Sequence, residues 1–236
     1  MGSDIESIIV DQLMNDIYDG KYLAKEKLPS EYELSSAYKV SRMIVRKAYI
    51  KLQEMGYIYS VQGKGRYLKN RSQLIELTLN GSESFTKKML DKGYNLETKN
   101  IFCTKIKYEE TIHKELGVKK EAEVYKIGRL RIVDSRPIAL HVSYVAKSLF
   151  KDIEESGKAI QSMFDYYRGQ GYEKFESNKS ILSIQFATLK ERELLCCPDL
   201  VPLLIVETNC IDSIDNRMLE YTRILYRGDS FKYIVE

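Results

Sequence analysis

The chain has 236 residues, 44% hydrophobic and 30% charged, with a net charge of +3. This balance is too apolar for a disordered chain and suits one large or two modest globular domains. The densest apolar run, Leu200 to Val206, is interrupted by Pro202 and falls far short of the roughly 18 residues a membrane span needs, so no membrane partner is expected.

The N-terminus starts acidic and amphipathic (Asp4, Glu6, Asp11), unlike a secretory leader, and a cytoplasmic protein is expected. Cys103, Cys196, Cys197 and Cys210 have no paired spacing, and only His113 and His141 stand beside them. Neither a metal site, a disulfide framework nor a cofactor is expected. Charge is unevenly placed. Residues 30 to 71 carry nine Lys and Arg against three Glu, a local +6 that leaves the remainder at −3. Such an excess marks a polyanion-binding module, although charge alone is equally compatible with a solvated basic face.

Ile5, Ile8, Ile9, Leu13 and Ile17 recur at helical spacing, and Gly20 follows as a C-cap. Pro29 and Ser30 open a second, short helix with Glu33 in capping-box position and Leu34 and Ala37 facing inward. Ser41 is the N-cap of a third helix whose apolar stripe is Val45, Ala48, Leu52 and Met55, closed by Gly56. The second and third helices form a helix-turn-helix. Arg42 and Arg46, four apart with Lys47 beside them, occupy the opposite face of the third helix, where an arginine fork can read guanine in a major groove. Tyr57 to Val61 and Arg66 to Leu68 are β-prone runs around Gln62-Gly63-Lys64-Gly65, a hairpin whose small cationic tip can approach phosphates or a minor groove.

The motifs LPSE, VSR-x-x-VR, EMG and G-x-G follow one another at fixed spacing in residues 28 to 65. Over residues 5 to 69 the chain resembles the DNA-binding domain of the GntR family of bacterial transcription regulators. The resemblance implies a winged helix-turn-helix with Ser30, Glu31, Ser41, Arg42 and Arg46 at the double-stranded DNA face and Gly63, Lys64 and Gly65 in the wing. Two positions depart from the family pattern: Ile44 stands where Thr is common, and Tyr32 where some members have Arg.

Domain boundaries are expected at 1–69, a linker at 70–83 enclosing the apolar stretch Leu74 to Leu79, and a second domain at 84–236. In that domain β-type runs (Val124 to Val133, Ile138 to Val145, Leu203 to Ile211, Met218 to Tyr226) alternate with helical ones near 84 to 92, 158 to 169 and 188 to 195. The whole chain is therefore read as α+β, its second domain built on an antiparallel sheet. Strand parity sets Arg129 and Arg131 on one face and Leu130 and Ile132 on the other. Paired guanidiniums can clamp an anion; on spacing alone, two arginines on a wet face or paired with local Glu fit as well. Ser84, Phe85 and Thr86 open a helix whose amides suit a phosphate. Glu220 and Tyr226 share a strand face and can serve a polyol.

The blocks SFTKKMLDKGY, RLRIVDSRPIALHVSYV and MLEYTRILYRGDSFKY resemble the UTRA ligand-sensing domain, which has the chorismate-lyase fold and accompanies GntR winged helices in the HutC-like branch. The resemblance covers residues 80 to 236. It implies an effector pocket in which Ser84, Thr86, Arg129, Arg131 and Ser162 hold an acidic group while His141, Phe164, Glu220 and Tyr226 surround the rest. His141 stands where the family often has Glu, and Phe164 where it often has Tyr. An imidazole there titrates near neutral pH and would make effector binding pH dependent, unless it is a satisfied sheet histidine.

The expected function is that of a homodimeric, ligand-responsive repressor of sugar genes, released by a sugar phosphate, and not of an enzyme. The alternative is an enzyme on a chorismate-lyase-like scaffold; the chain has no G-x-S-x-G elbow, H-E-x-x-H or Walker A loop to support it.

Overall fold

The computed structural model describes residues 2–70, 74–78 and 83–234. They form two compact units, Met1–Leu74 with Cys197–Val201, and Ile75–Cys196 with Pro202–Glu236.

In the first unit, helix α1 (Gly2–Tyr18) buries Ile9, Val10 and Leu13. Ile8, expected in that stripe, is exposed. At 100° per residue it lies about 140° around the axis from Leu13, whereas Val10 stays within one helix face of it. Helix α2 (Glu31–Tyr38) starts in a capping box, Ser30 Oγ accepting from Glu33 N at 3.2 Å and Ser30 N donating to Glu33 Oε2 at 2.6 Å. Its inward positions are Leu34 and Tyr38. Ala37, expected inward, is exposed, because the next turn carries the larger ring onto the core.

Helix α3 (Arg42–Glu54) buries Val45, Ala48, Tyr49 and Leu52. Ser41 stands at its N-cap, but its hydroxyl makes no capping bond. Gly56, with φ of 79°, supplies the left-handed turn that ends the helix. Strands β1 (Ile58–Val61) and β2 (Gly65–Leu68) pair antiparallel from Ile58↔Leu68 to Val61↔Gly65. Gly65 has φ of 121°, a backbone conformation that residues with a Cβ rarely adopt, so glycine is what lets the hairpin close there.

The second unit opens with β3 (Ile75–Thr78), which pairs parallel with β11 (Phe231–Ile234). Residues 75–78 therefore belong to this unit and not to a linker; the rest of the expected linker lies mostly outside the described residues. The chain continues through α4 (Phe85–Asp91), β4 (Leu96–Lys105), α5 (Glu110–Glu115), β5 (Val124–Val133) and β6 (Arg136–Ala146). Next come α6 (Ile153–Ser156), α7 (Met163–Gly169), β7 (Phe175–Glu176), β8 (Ser180–Phe186), α8 (Leu189–Leu195), β9 (Pro202–Asp212) and β10 (Arg217–Arg227). The helix expected over 158 to 169 covers only its second half, since Ser162 caps a fresh start, its Oγ accepting from Asp165 N at 3.3 Å.

The main sheet runs β4-β5-β6-β10-β9-β7, with β8 also paired to β9, and every pairing is antiparallel. Period-two alternation sorts β5 along its length. Tyr125 and Ile127 join one apolar cluster with Phe150, Tyr167 and Leu219. Val133 joins another with Phe85, Met89, Tyr226 and Phe231. Arg129 and Arg131 fall between the two on the same parity. The sheet face is thus apolar at both ends and polar in the middle.

Leu52 is fully buried in the first unit. Leu52→Ala is expected to destabilise it by about 2–5 kcal/mol, seen as a lower urea midpoint for the transition of that unit; an unchanged midpoint would mean the three-helix core does not hold it together.

Candidate functional site

Two groupings of polar residues stand out, one in each unit. In the first, Arg42, Arg46 and Lys47 are all exposed on α3, opposite its buried stripe. The wing tip, Gly63, Lys64 and Gly65, is exposed as well. Ser30 and Ser41 are exposed at the starts of their helices. Glu31 differs: its carboxylate pairs with Arg66 of the wing at 2.8 Å. Arg66 also lies 4.6 Å over the Tyr49 ring, and Tyr49 donates its hydroxyl hydrogen bond to Pro29 O. This chain of contacts fixes the wing against α2 and α3. Of the two departures from the family pattern, Ile44 packs at the edge of the core. Tyr32 is exposed, and its ring lies 5.8 Å from the Arg42 guanidinium, a cation–π contact that restrains a side chain otherwise free in water.

In the second unit, a cavity of about 320 Å³ opens over the polar middle of the sheet. Ser84, Thr86, Arg129, Arg131, His141, Ser162, Phe164, Glu220 and Tyr226 all line it. Arg129 and Arg131 are 3% and 2% exposed, so they are not on a wet sheet face. Arg129 Nη2 donates to Ser143 Oγ at 2.5 Å and stands 4.0 Å from Glu220 Oε1. Arg131 Nη1 donates to Thr98 Oγ1 at 2.5 Å and to Gln161 O at 2.8 Å. The Nε atoms of both arginines, Thr86 Oγ1 and His141 Nε2 are buried without a hydrogen-bond partner. Unsatisfied donors at this density call for an acceptor from outside the chain.

Electrostatics point the same way. Burial disfavours the charged form of Arg129, which Glu220 partly offsets. Burial disfavours the charge of Arg131 more strongly, and Arg129 adds to the effect. A guanidinium does not give up its proton in a protein, so an anion from outside the chain is what would relieve the strain. Glu220 is already engaged, accepting from Tyr167 Oη at 3.0 Å. Ser84 Oγ accepts from Lys87 N at 3.1 Å. Ser84 and Thr86, at the N-cap and in the first turn of α4, line the same cavity as the guanidinium pair.

His141 lies between Phe85 and Tyr226, ring centroids 4.8 and 5.7 Å away. Burial, then Arg131 and Arg129, hold its imidazole well below the ordinary value of 6.5. An imidazole titrating near neutrality is therefore not found, and His141 is neutral in the open cavity. The cavity also takes in residues that local patterns left out: Ser177, Ser180, Thr208 and Asn209 form a hydroxyl and amide rim. Ser177 and Ser180 Oγ lie 2.7 and 2.8 Å from Thr208 Oγ1, and Asn209 Oδ1 accepts from Asn178 N at 3.2 Å. Parity on β9 reaches Thr208 once that strand is assigned, but Ser177 lies just after β7 and Ser180 opens β8, and neither segment carries alternation.

A histidine whose pKa is depressed on folding binds fewer protons folded than unfolded, so its contribution to stability is lost as pH falls below 6.5. His141→Asn is expected to flatten the stability curve between pH 6.5 and 5, by up to about 1.4 kcal/mol per pH unit relative to the unaltered protein. Parallel curves in paired urea titrations would contradict the neutral imidazole.

Comparisons with known proteins follow the same division of the chain. The family model for the UTRA domain matches residues 91–232, and the model for bacterial regulatory proteins of the gntR family matches residues 6–68. The chain is similar to the HTH-type transcriptional regulator TreR of Bacillus subtilis, 30% identical over 234 residues, covering 96% of this chain and 94% of that protein. It is 26% identical over 226 residues to the HTH-type transcriptional repressor NagR of the same organism, covering 96% and 91%. The crystal structure of PhnF from Mycobacterium smegmatis shares the fold at a TM-score of 0.63 and 19% identity, covering 97% of this chain and 98% of that one. The chain belongs to the GntR family of bacterial transcription regulators and carries a UTRA domain behind its DNA-binding domain.

Proposed function

We propose that this regulator is a homodimeric, operator-binding repressor that is released when a sugar phosphate occupies the UTRA cavity. The observation that carries the effector class is the buried Arg129 and Arg131 pair with its unpartnered Nε donors. A phosphate supplies several acceptor oxygens and the negative charge that two guanidiniums need. The rim of Ser177, Ser180, Thr208 and Asn209 offers donors and acceptors for sugar hydroxyls. A relative over nearly the full chain, NagR, is named a repressor.

For DNA, the reading rests on Arg42, Arg46 and Lys47 on the exposed face of α3, with Lys64 at the wing tip. Ser30, Glu31 and Ser41 would contribute at the helix starts, Glu31 by orienting Arg66. A dimer places two copies of α3 in successive major grooves about 34 Å apart. An effector then changes DNA affinity only by binding one dimer geometry better than the other.

The test is a thermal-shift panel of sugar phosphates, free sugars and amino-acid-derived acids. A ligand at 100 times its dissociation constant adds about 2.7 kcal/mol of stability, and the sugar phosphates are expected to contain the largest shift. Arg129→Ala and Arg131→Ala are each expected to abolish that shift while DNA binding survives; a shift that persists would remove the anion clamp. Arg42→Ala or Arg46→Ala is expected to cost about 1–3 kcal/mol of operator affinity in a fluorescence anisotropy titration, and unchanged binding would take α3 out of the groove.

A further inference from the structure

Met43 is an apolar side chain on a face that is otherwise cationic. It is 63% exposed in the first turn of α3, between Arg42 and Arg46 in sequence, with Lys47 one turn on. At 100° per residue, the buried stripe of Val45, Ala48, Tyr49 and Leu52 centres about 170° around the helix axis from it. Met43 therefore stands on the crest of α3, aimed away from the core of its unit, with Arg46 about 60° to one side and Lys47 about 40° to the other. Arg42 is drawn to the flank, its guanidinium 5.8 Å from the Tyr32 ring of α2, and Ile44 packs at the edge of the core. A crest with cations on both sides is complementary to the phosphates that wall a groove, and the first residues of such a helix meet base edges. What the crest itself can read is set by its chemistry. A thioether has no donor and is only a weak acceptor, so it matches none of the amino and carbonyl groups on the groove floor. The thymine C5-methyl is the one apolar group displayed there.

We propose that Met43 reads thymine by packing against that methyl, one thymine in each half-site, beside the base pairs that Arg42 and Arg46 contact. Closing the thioether tip over a methyl removes apolar surface of both from water. Cytosine carries only a hydrogen at C5 and an amino donor next to it, so it gives the tip no apolar partner and leaves the donor facing a side chain that accepts poorly. The two arginines and Met43 then divide the work, the guanidiniums selecting guanine and the thioether selecting thymine. This inference rests on the operator-binding reading above and adds a residue that fixes base preference.

Deoxyuridine scanning tests it. The probe is a duplex selected from a random-sequence library by the unaltered full chain, and each thymine is replaced in turn by deoxyuridine, which lacks only the methyl. In anisotropy titrations, one replacement per half-site is expected to weaken binding about fourfold. Met43→Ala is expected to bind the selected duplex more weakly by a similar factor and to be indifferent to that same replacement. No thymine whose methyl matters, or a penalty undiminished in Met43→Ala, overturns the proposal. Met43→Gln gives a second readout, since glutamine is of similar length but pairs with adenine. Its own selection is expected to lose the thymine at that position, and continued enrichment there overturns the proposal. A protein that enriches no sequence sinks the operator reading, and this inference with it. Enrichment of a sequence blind to every thymine methyl sinks this inference alone.

Discussion

Two guanidiniums held out of water at successive same-face positions of one strand are the constraint around which the second domain is arranged. Removing one ion from water costs several kcal/mol even after relaxation, and here two buried cations stand beside the buried carboxylate of Glu220, 4.0 Å from the nearer one. The sheet does not let them escape. Arg129 is tied to Ser143 on β6, and Arg131 to Thr98 on β4 and to the Gln161 carbonyl ahead of α7. Apolar clusters at both ends of the sheet face shut off the water that would otherwise solvate them. What remains is an enclosed positive site with oriented, unused donors, a preorganised receptor for an anion.

His141 adjusts this receptor without adding charge. A third charge beside the arginines would compound the repulsion, and burial, together with the charges of Arg131 and Arg129, keeps the imidazole neutral. A neutral ring can donate from one nitrogen and accept at the other, which suits hydroxyls better than a second acidic group. In the DNA-binding unit the logic is reversed. Arg42, Arg46, Lys47 and Lys64 stay in water on α3 and the wing, while Arg66, which fixes the wing to α2, is drawn into an ion pair with Glu31.

Much of this was legible in the primary structure where period and burial coincide. The strands that became β5, β6, β9 and β10 are apolar runs long enough to stand out, and parity alone placed the two arginines side by side. The capping box at Ser30 and Glu33 and the glycine-closed hairpin are local chemistry, so they too were readable. What escaped depends on distant partners. Strand β3 looked like a linker because its mate, β11, lies some 150 residues along the chain. Strand β4 alternates weakly, and β8 is apolar on both faces, so neither carries a period-two signal. Tyr49 was missed because an aromatic hydroxyl among helix polar residues does not announce that it will reach the Pro29 carbonyl. The neutrality of His141 is a property of its surroundings, and a single residue letter cannot convey it.

The most direct test of the central claim is to observe the two side chains themselves. In protein carrying 15N-arginine, the Nε–H resonances of Arg129 and Arg131, assigned by single substitution, report hydrogen bonding at the donors left open in the cavity. Both are expected to move on titration with the sugar phosphate that most raises the melting temperature, and to stay still with the corresponding free sugar. Stabilisation by that compound with both resonances unmoved would mean the anion binds elsewhere, and the account built on the guanidinium pair would be wrong.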